Sequence, residues 1–243
     1  MKIAVLTDAH ANLPALEAAL AAIARERCDL IVHTGDAIAI GPYPRETVEL
    51  LLSLPQIECL VGNHEALLLD GLPDPLPEWI SSGEAEHQRW THTQLGAVHR
   101  EAIGRWKMTI DRRIEDVDAH FAHYGLDPRG ERFAPFAHEA SREALDRVFS
   151  GVRADIVFFG HQHTSSDVHG RARYVNPGSL GCHTVAEARF CIAQFPEGEA
   201  VVEAHAVPYD DAPLIFGFMS RAVPERAFID RTFFGNRLGI YDG

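Results

Sequence analysis

The chain has 243 residues and a formal net charge of −13, with 46% hydrophobic and 23% charged residues. This length allows a full hydrophobic core within one domain, and the composition is that of an ordinary soluble globular protein. The acidic charge argues against a nucleic-acid duplex as a partner, because such contact needs a basic face. A small anionic substrate is still compatible, since bound divalent metals can dominate the local field.

The sequence shows no targeting or membrane-spanning pattern. The start, MKIAVLTDAH, has too short an apolar run for a signal peptide, and no later stretch is long enough to span a bilayer. The cysteines lack CxxC spacing and are Cys28, Cys59, Cys182 and Cys191. We therefore predict a cytoplasmic protein with ordinary reduced thiols and no membrane partner.

The first part of the chain alternates between strands and helices. A buried strand is predicted at 2–7, and a helix follows through ALEAALAAIARE. DLIVHTGD is a second strand, Pro44 opens a second helix, and IECLVGNH is a third strand. This βαβαβ order predicts parallel strands joined by helical crossovers.

Residues 66–107 interrupt this alternation with a proline-rich start and a mostly helical stretch from about residue 83. After this insert, strands are predicted at 108–114, 117–122 and 155–159, a helix in ASREALDRVFS, and short strands in ARYVN, RFCIAQF and AVVEAHAV. We predict a single α/β domain over 1–243, in which two mixed sheets pack together with helices outside. A C-terminal tail covers about 207–243.

Polar side chains follow five of the predicted strands, directly after each strand ends. They are Asp8 and His10, Asp36, Asn63 and His64, His123, and His161 and His163. Because the carboxyl ends of strands form the ligand crevice of open α/β sheets, we expect these side chains to meet. Carboxylate, imidazole and amide ligands suit manganese, iron, zinc or cobalt better than calcium or a thiolate-bound metal.

Each of these motifs also has a plain structural interpretation. A DxH sequence is typical of a loop or a helix cap, GD is a common turn, and an asparagine after glycine often supplies a left-handed turn. His123 alone is typical of a hydrogen-bonded histidine at a strand end. The pair His161 and His163 is more specific, because side chains two residues apart in an extended segment can share a face. All five motifs together, in this order, favour a common site.

The set resembles the motifs of the calcineurin-like metallophosphoesterases. The resemblance rests on Asp8-x-His10, Gly35-Asp36, Gly62-Asn63-His64-Glu65, His123 and Gly160-His161-x-His163. It spans roughly residues 1–180. The stretches NLPALEAAL, GPYPRETVELL and NPGSLG are similar to the small bacterial and archaeal phosphodiesterase branch of that family.

The resemblance implies a four-layer α/β/β/α sandwich with a two-metal centre at its edge. It assigns one metal to Asp8, His10 and His163, the other to Asn63, His123 and His161, and a bridging position to Asp36. A carboxylate suits that position because two adjacent cations need a shared anionic ligand. His64 is implied to face the phosphate rather than bind a metal.

The activity implied is hydrolysis of small phosphodiesters, nucleotides or dinucleoside polyphosphates. A hydroxide that bridges the two metals would attack the phosphorus, and His64 would donate a proton or stabilise the transition state. The cofactors are two divalent transition metals chosen from Mn²⁺, Fe²⁺ or Fe³⁺, Zn²⁺ and Co²⁺. The sequence departs from the family at Ala11 and Tyr124, where glycine is common, but neither change removes a ligand. We expect Tyr124 to pack.

Two alternatives to this activity remain. A phosphoprotein phosphatase would need an arginine pair near the GD and GNH motifs. That pair is absent, because AIAIGPYP and EALLLDG follow these motifs here. A non-enzymatic scaffold of this fold, such as the retromer subunit, lacks the histidine at the position of His64, which is retained in this chain.

The other histidines are expected to be structural or solvated. His33, His120 and His205 lie within predicted strands, whereas His87, His92 and His99 lie in the helical insert, where a solvated face is the default. Tyr43 and His183 are weak candidates for contacting substrate.

We expect the insert at 66–107 to overhang the metals and to determine substrate choice. Its tryptophans could stack on a nucleobase, but at least two of Trp79, Trp90 and Trp106 are expected to anchor the insert instead. The apolar tail either packs on its own domain or forms the surface of a homo-oligomer, and both outcomes are open.

Overall fold

A computed structural model describes residues 1–78 and 80–241 of the chain. In chain order the strands are β1 (Lys2–Leu6), β2 (Leu30–His33), β3 (Ile57–Cys59), β4 (Thr109–Ile114), β5 (Val117–Ala122), β6 (Ile156–Phe158), β7 (Ser166–His169), β8 (Arg173–Asn176), β9 (Glu187–Gln194) and β10 (Val201–Pro208). The helices are α1 (Leu13–Glu26), α2 (Pro44–Leu52), α3 (Asn63–Asp70), α4 (Ser82–Gln94), α5 (Ala97–Ile103), α6 (Arg142–Val148), α7 (Ala212–Ser220) and α8 (Arg226–Ile229). Among the described residues, no helix combines the length and apolar character needed to cross a bilayer.

The strands form two mixed sheets, as the sequence predicts. In the first sheet the order is β10-β9-β1-β2-β3, with β1 parallel to β2 and β2 parallel to β3. Strand β9 is antiparallel to both of its neighbours. The order in the second sheet is β4-β5-β6-β8-β7, with β5, β6 and β8 parallel to one another. The predicted α/β class and the parallel start of the chain are confirmed.

The core is layered because successive side chains in a strand point to opposite faces of its sheet. In β1, Ile3 and Val5 enter the core between the two sheets, whereas Ala4 and Leu6 face the core under α1 and α2. Phe158 of β6 also lies between the sheets, and it stacks on Phe121 of β5 with ring centroids 5.1 Å apart. Burying each such ring contributes roughly 1.5–3 kcal/mol.

The outer face of the second sheet is covered by α6. Val157 and Phe159, which flank Phe158, pack there against Leu145 and Phe149. The layer order is therefore helix, sheet, sheet, helix, which is the predicted four-layer sandwich. Both sheets direct the carboxyl ends of their parallel strands to the same edge of the molecule.

Helix α3 differs from the prediction, because it begins inside the motif that follows the third strand. Gly62 is its N-cap, and the Glu65 side chain accepts a hydrogen bond from the Gly62 N–H at 2.8 Å. An acidic side chain three residues after the cap is typical of a helix start. The polar motif and the prolines after it hid this helix in the sequence.

The insert is helical, as predicted, and its tryptophans anchor it. Trp106 packs against the core under α1 and α2, whereas Trp90 packs against the C-terminal segment. Trp79 lies outside the described residues. Ser81 caps α4 in a reciprocal arrangement with Glu84, which donates its N–H to Ser81 Oγ at 3.2 Å.

The C-terminal tail packs largely on its own domain. Leu214, Phe218 and Phe234 are buried against Ile40 and Cys182, which belong to loops of the sandwich. The Tyr43 hydroxyl also donates to the carbonyl of Pro213 at 2.5 Å. Phe216 and Met219 of α7 remain 70% and 54% exposed, and the homo-oligomer stays a prediction.

Candidate metal centre

The seven predicted ligands and His64 come together where the strands of both sheets end. The loops after β1, β2 and β3 bring Asp8, His10, Asp36 and Asn63, and the loops after β5 and β6 bring His123, His161 and His163. Asp8, His10 and His123 are at most 1% exposed. The geometry agrees with the predicted ligand assignments, which stay predictions about binding.

The first group of ligand atoms surrounds Asp8. Its Oδ1 lies 3.6 Å from His10 Nε2 and 3.6 Å from His163 Nε2. These two ring nitrogens are only 2.8 Å apart. His10 Nε2 also lies 4.0 Å from Asp36 Oδ2.

The second group surrounds the ring of His123. Its Nε2 lies 3.0 Å from Asn63 Oδ1, 3.2 Å from His161 Nδ1 and 3.2 Å from Asp36 Oδ2. The other ring nitrogen, Nδ1, faces the carbonyl of Thr34 at 3.1 Å. A hydrogen bond from Nδ1–H to this carbonyl leaves the Nε2 lone pair free for a cation.

Asp36 Oδ2 belongs to both groups, because it faces His10 on one side and His123 on the other. The other oxygen, Oδ1, accepts a hydrogen bond from the backbone N–H of His64 at 2.9 Å. This contact orients the carboxylate. Asp36 therefore stands where a ligand shared by two cations is needed.

The chemistry of these donors fits divalent cations. Facing ring nitrogens at 2.8 and 3.2 Å compete for one proton, whereas a cation accepts both lone pairs. Burial lowers the pKa of His161 and of His163 to about 4, so both rings are neutral near pH 7, as coordination requires. Burial opposes the ionisation of Asp8 and Asp36, yet the neighbouring histidines hold the pKa of each below its usual value.

Five of the seven predicted ligand residues have a left-handed backbone, which non-glycine residues rarely adopt. They are Asp8, His10, Asp36, His161 and His163, with φ between 47° and 69°. Such conformations cost of order 1–3 kcal/mol each and persist only where the surrounding structure enforces them. They turn consecutive side chains toward a common point.

Glycines let the site loops approach one another closely. A Cβ on Gly160 would collide with the side chains of Thr7 and Asp8. Because Gly160 has no Cβ, the next residue, His161, can donate its backbone N–H to Asp8 Oδ2 at 3.0 Å. The two sheets are therefore joined at the centre by contacts between ligand residues themselves.

Glu65 holds the loops of Asp36 and Asn63 together. Its buried carboxylate accepts the backbone N–H groups of Asp36, Ala37 and Ile38 at 2.8, 2.9 and 3.2 Å. It also accepts the Gly62 N–H at 2.8 Å. Burial and the nearby Asp36 raise the pKa of Glu65 to about 7 against the opposing effect of backbone donors. All four partners are donors, which matches the ionised carboxylate.

Helix α4 supplies two residues that the sequence did not identify. The expectation of a solvated face is wrong for His87, which is 5% exposed and accepts the Ile40 N–H at its Nε2 over 2.8 Å. Gln88 is equally buried, and its amide contacts Nδ1 of His64 at 2.5 Å. Small and polar side chains occupy this helix face, so no hydrophobic pattern marked it as buried.

Histidines predicted to be structural do pack inside the fold. His33 accepts the N–H of Gly35 at 3.3 Å, His120 pairs with Asp111 at 2.7 Å, and the ring of His205 stacks on Phe190. His92 and His99 are half-buried.

Tyr124 packs, as expected. It is fully buried, and its hydroxyl accepts the N–H of Ala137 at 2.9 Å.

Cys182, predicted to be an ordinary thiol, has its sulfur within 4.8 Å of ring nitrogens of His10 and His163. Burial raises the pKa of this thiol well above its usual value.

Comparison with known proteins agrees with the sandwich. A family model described as the calcineurin-like phosphoesterase superfamily domain matches residues 1–198. An uncharacterized protein of Methanocaldococcus jannaschii is 27% identical over 253 residues, which cover 94% of this chain and 98% of that protein. A metallophosphoesterase from Sphaerobacter thermophilus shares 25% identity with a TM-score of 0.69, covering 95% and 98% of the two chains. A hypothetical protein from Pyrococcus horikoshii OT3 shares the fold at 20% identity, with a TM-score of 0.80 and coverage of 96% and 98%.

Metal content tests the shared position of Asp36. We expect wild-type protein to hold close to two divalent transition metals per chain. His10→Ala should lose about one, because its ring belongs to one group, whereas Asp36→Ala should lose both. Elemental analysis after reconstitution with Mn²⁺ or Zn²⁺ and desalting measures these ratios.

The control for this experiment is His120→Ala, which removes a histidine that pairs with Asp111 away from the site. It should retain the wild-type metal content. A wild-type stoichiometry that never exceeds one would contradict the two-metal arrangement. Equal losses in Asp36→Ala and His10→Ala would contradict the shared carboxylate.

Glu65→Ala should destabilise the fold even without metal. The substitution leaves four backbone N–H groups without their acceptor, at a cost of roughly 3 kcal/mol. Urea unfolding in the presence of EDTA measures the free energy of unfolding of the metal-free chain. The matched control is Glu86→Ala, which makes the same change at an exposed position of α4 and should have little effect. An unchanged midpoint for Glu65→Ala would show that the loops do not depend on this carboxylate.

Proposed function

Because this chain belongs to the calcineurin-like phosphoesterase superfamily, we propose that it hydrolyses small phosphodiesters, nucleotides or dinucleoside polyphosphates with two bound metals. One observation carries the proposal: Asp36 Oδ2 faces both groups of ligand atoms. A binuclear centre of this kind is a common solution for displacing an oxygen from phosphorus.

In the proposed centre, Asp8, His10 and His163 would hold one metal and Asn63, His123 and His161 the other, with Asp36 common to both. When bound, two divalent cations neutralise phosphate charge and lower the pKa of a water that serves as nucleophile. Mn²⁺, Fe²⁺ or Fe³⁺, Zn²⁺ and Co²⁺ all accept this mixed oxygen and nitrogen donor set. Asn63 contributes a neutral oxygen, which leaves positive charge for the substrate.

His64 is the proposed catalytic residue. Its Nε2 is 3.9 Å from Asp36 Oδ2, and its ring also lies near enough to His10 and Asp36 to share a cation with them. We assign it to the substrate because its side chain, unlike theirs, is partly exposed. The side chain is 18% exposed, so this nitrogen can reach a bound phosphate. A hydrogen on Nε2 can stabilise charge on a phosphate oxygen or protonate the leaving oxygen.

A cytoplasmic location is also proposed. All four cysteines are free thiols, which supports a reducing compartment. The acidic charge of −13 supports small substrates over a nucleic-acid duplex.

An activity screen tests the proposed function. Protein reconstituted with Mn²⁺, Zn²⁺ or Co²⁺ should hydrolyse a diester such as bis-p-nitrophenyl phosphate, and natural substrates should be found among cyclic nucleotides and diadenosine polyphosphates. A monoester and a phosphopeptide complete the panel. The control is Asp36→Ala, which should be inactive. If no substrate is hydrolysed faster by wild type than by this variant, the result would contradict the proposed function and favour the non-enzymatic scaffold. A preference for the phosphopeptide would favour the phosphoprotein phosphatase.

The leaving group tests the role of His64. We expect His64→Ala to keep its full metal content and to hydrolyse the p-nitrophenyl ester of a nucleotide almost normally, because nitrophenolate departs without a proton. Hydrolysis of the methyl ester of the same nucleotide should slow by about 10²–10⁴-fold, the usual value of general-acid catalysis. Steady-state rates on the two esters measure the difference.

The neighbouring residue provides the control for this comparison. Asn63→Ala changes the same loop but removes a proposed ligand, so it should lose metal and slow both esters. Equal losses for both esters in His64→Ala, with metal retained, would rule out the acid role. His64 would then act only by holding the phosphate.

A further inference from the structure

We propose that Gln88 is a positioning residue, which orients His64 so that a hydrogen on its Nε2 faces the substrate. The proposal rests on the proposed hydrolytic function and adds to it a residue from the helical insert. Among the described residues, the one side-chain hydrogen bond of Gln88 is the contact of its amide with His64 Nδ1, at 2.5 Å.

The two ring nitrogens of His64 have different surroundings. Nε2 faces Asp36, whereas Nδ1 is occupied by the Gln88 amide. Because the hydrogen bond at one ring nitrogen decides where the neutral ring carries its proton, the partner at Nδ1 controls what Nε2 offers. An amide N–H that donates to Nδ1 places the hydrogen on Nε2.

The amide group of a glutamine suits this task. Its NH₂ group, as oriented in the structure, donates to an unprotonated Nδ1. With this arrangement Nε2 carries a hydrogen toward the phosphate. A carboxylate at the same position would favour Nδ1–H and leave the neutral Nε2 without one.

Helix α4 is fixed well enough to position a side chain. His87, the residue before Gln88, accepts the Ile40 N–H, and its Nδ1 lies 3.3 Å from the Pro224 carbonyl. The helix is therefore tied to the loop after Asp36 on one side and to the C-terminal segment on the other. On this proposal the insert supports the catalytic centre through α4.

The first test is a double-mutant cycle with the nearly isosteric Gln88→Met. This variant should keep its metals and melting temperature but lose about tenfold in kcat on the methyl ester, the effect of one hydrogen bond. KM should change little, because His64 acts in the transition state. In the His64→Ala background the same substitution should change the rate less than twofold.

Two further variants serve as controls for this test. Gln94→Met makes the same chemical change on the same helix, away from His64, and should behave as wild type. Gln88→Asn keeps the amide but is one methylene too short to reach Nδ1, so it should resemble Gln88→Met. Full activity in Gln88→Asn would overturn the proposal. So would an undiminished effect of Gln88→Met when His64 is already absent.

The second test measures the tautomer of the His64 ring directly, by ¹⁵N NMR of histidine-labelled, zinc-loaded protein. The His64 signals are identified because they are missing from the spectrum of His64→Ala. We expect the hydrogen on Nε2 in the wild type and a mixture of tautomers in Gln88→Met. This measurement does not need activity. If the screen finds no substrate but the tautomer shifts, the proposed function fails while the contact stands. An unchanged His64 signal in Gln88→Met would remove the basis for the proposal.

Discussion

The centre depends on one buried carboxylate, that of Glu65, and the four backbone N–H groups that it accepts. Burying a carboxylate is costly, and four charge-assisted hydrogen bonds are what make the arrangement tenable. These bonds join the loop after β2 to the start of α3. They hold Asp36 where one of its oxygens faces both groups of ligand atoms. Together with the His64 N–H, which contacts Asp36 Oδ1, they fix the position of this side chain.

The clustering of the candidate ligand residues could be predicted because their chemistry and their place in the fold coincide. Asp36, His123 and His161 follow buried strands, and parallel strands bring their carboxyl ends to one edge. The alternation of β6, in which Ile156 and Phe158 face one core and Val157 the other, is equally visible in the sequence. The layer order follows from it, since a strand buried on both faces needs a layer on each side.

The supporting residues could not be predicted, because their roles exist only in the assembled structure. Gln88 lies 24 residues from His64, and His87 lies 47 residues from Ile40. From the sequence, a glutamine on a helix of mixed polar residues is expected to be exposed to solvent. Gln88 is buried because α4 packs against the site. Helix α3 was missed for a related reason. Its first residues, Asn63 and His64, were predicted only as site residues, although Asn63 is both a candidate ligand and the first residue of the helix.

The strand order of the first sheet has a consequence for biosynthesis. Strand β1 lies between β2, which follows it closely, and β9, which is made when most of the chain is complete. A nascent chain therefore carries Asp8 and Asp36 on a sheet that is open along one side. His123, His161 and His163 of the other sheet are synthesised before β9, and the C-terminal segment that covers the Asp36 loop is synthesised after it. A product truncated before β5 would therefore carry Asp8, His10 and Asp36 without His123, His161 and His163, the imidazoles that the second sheet contributes.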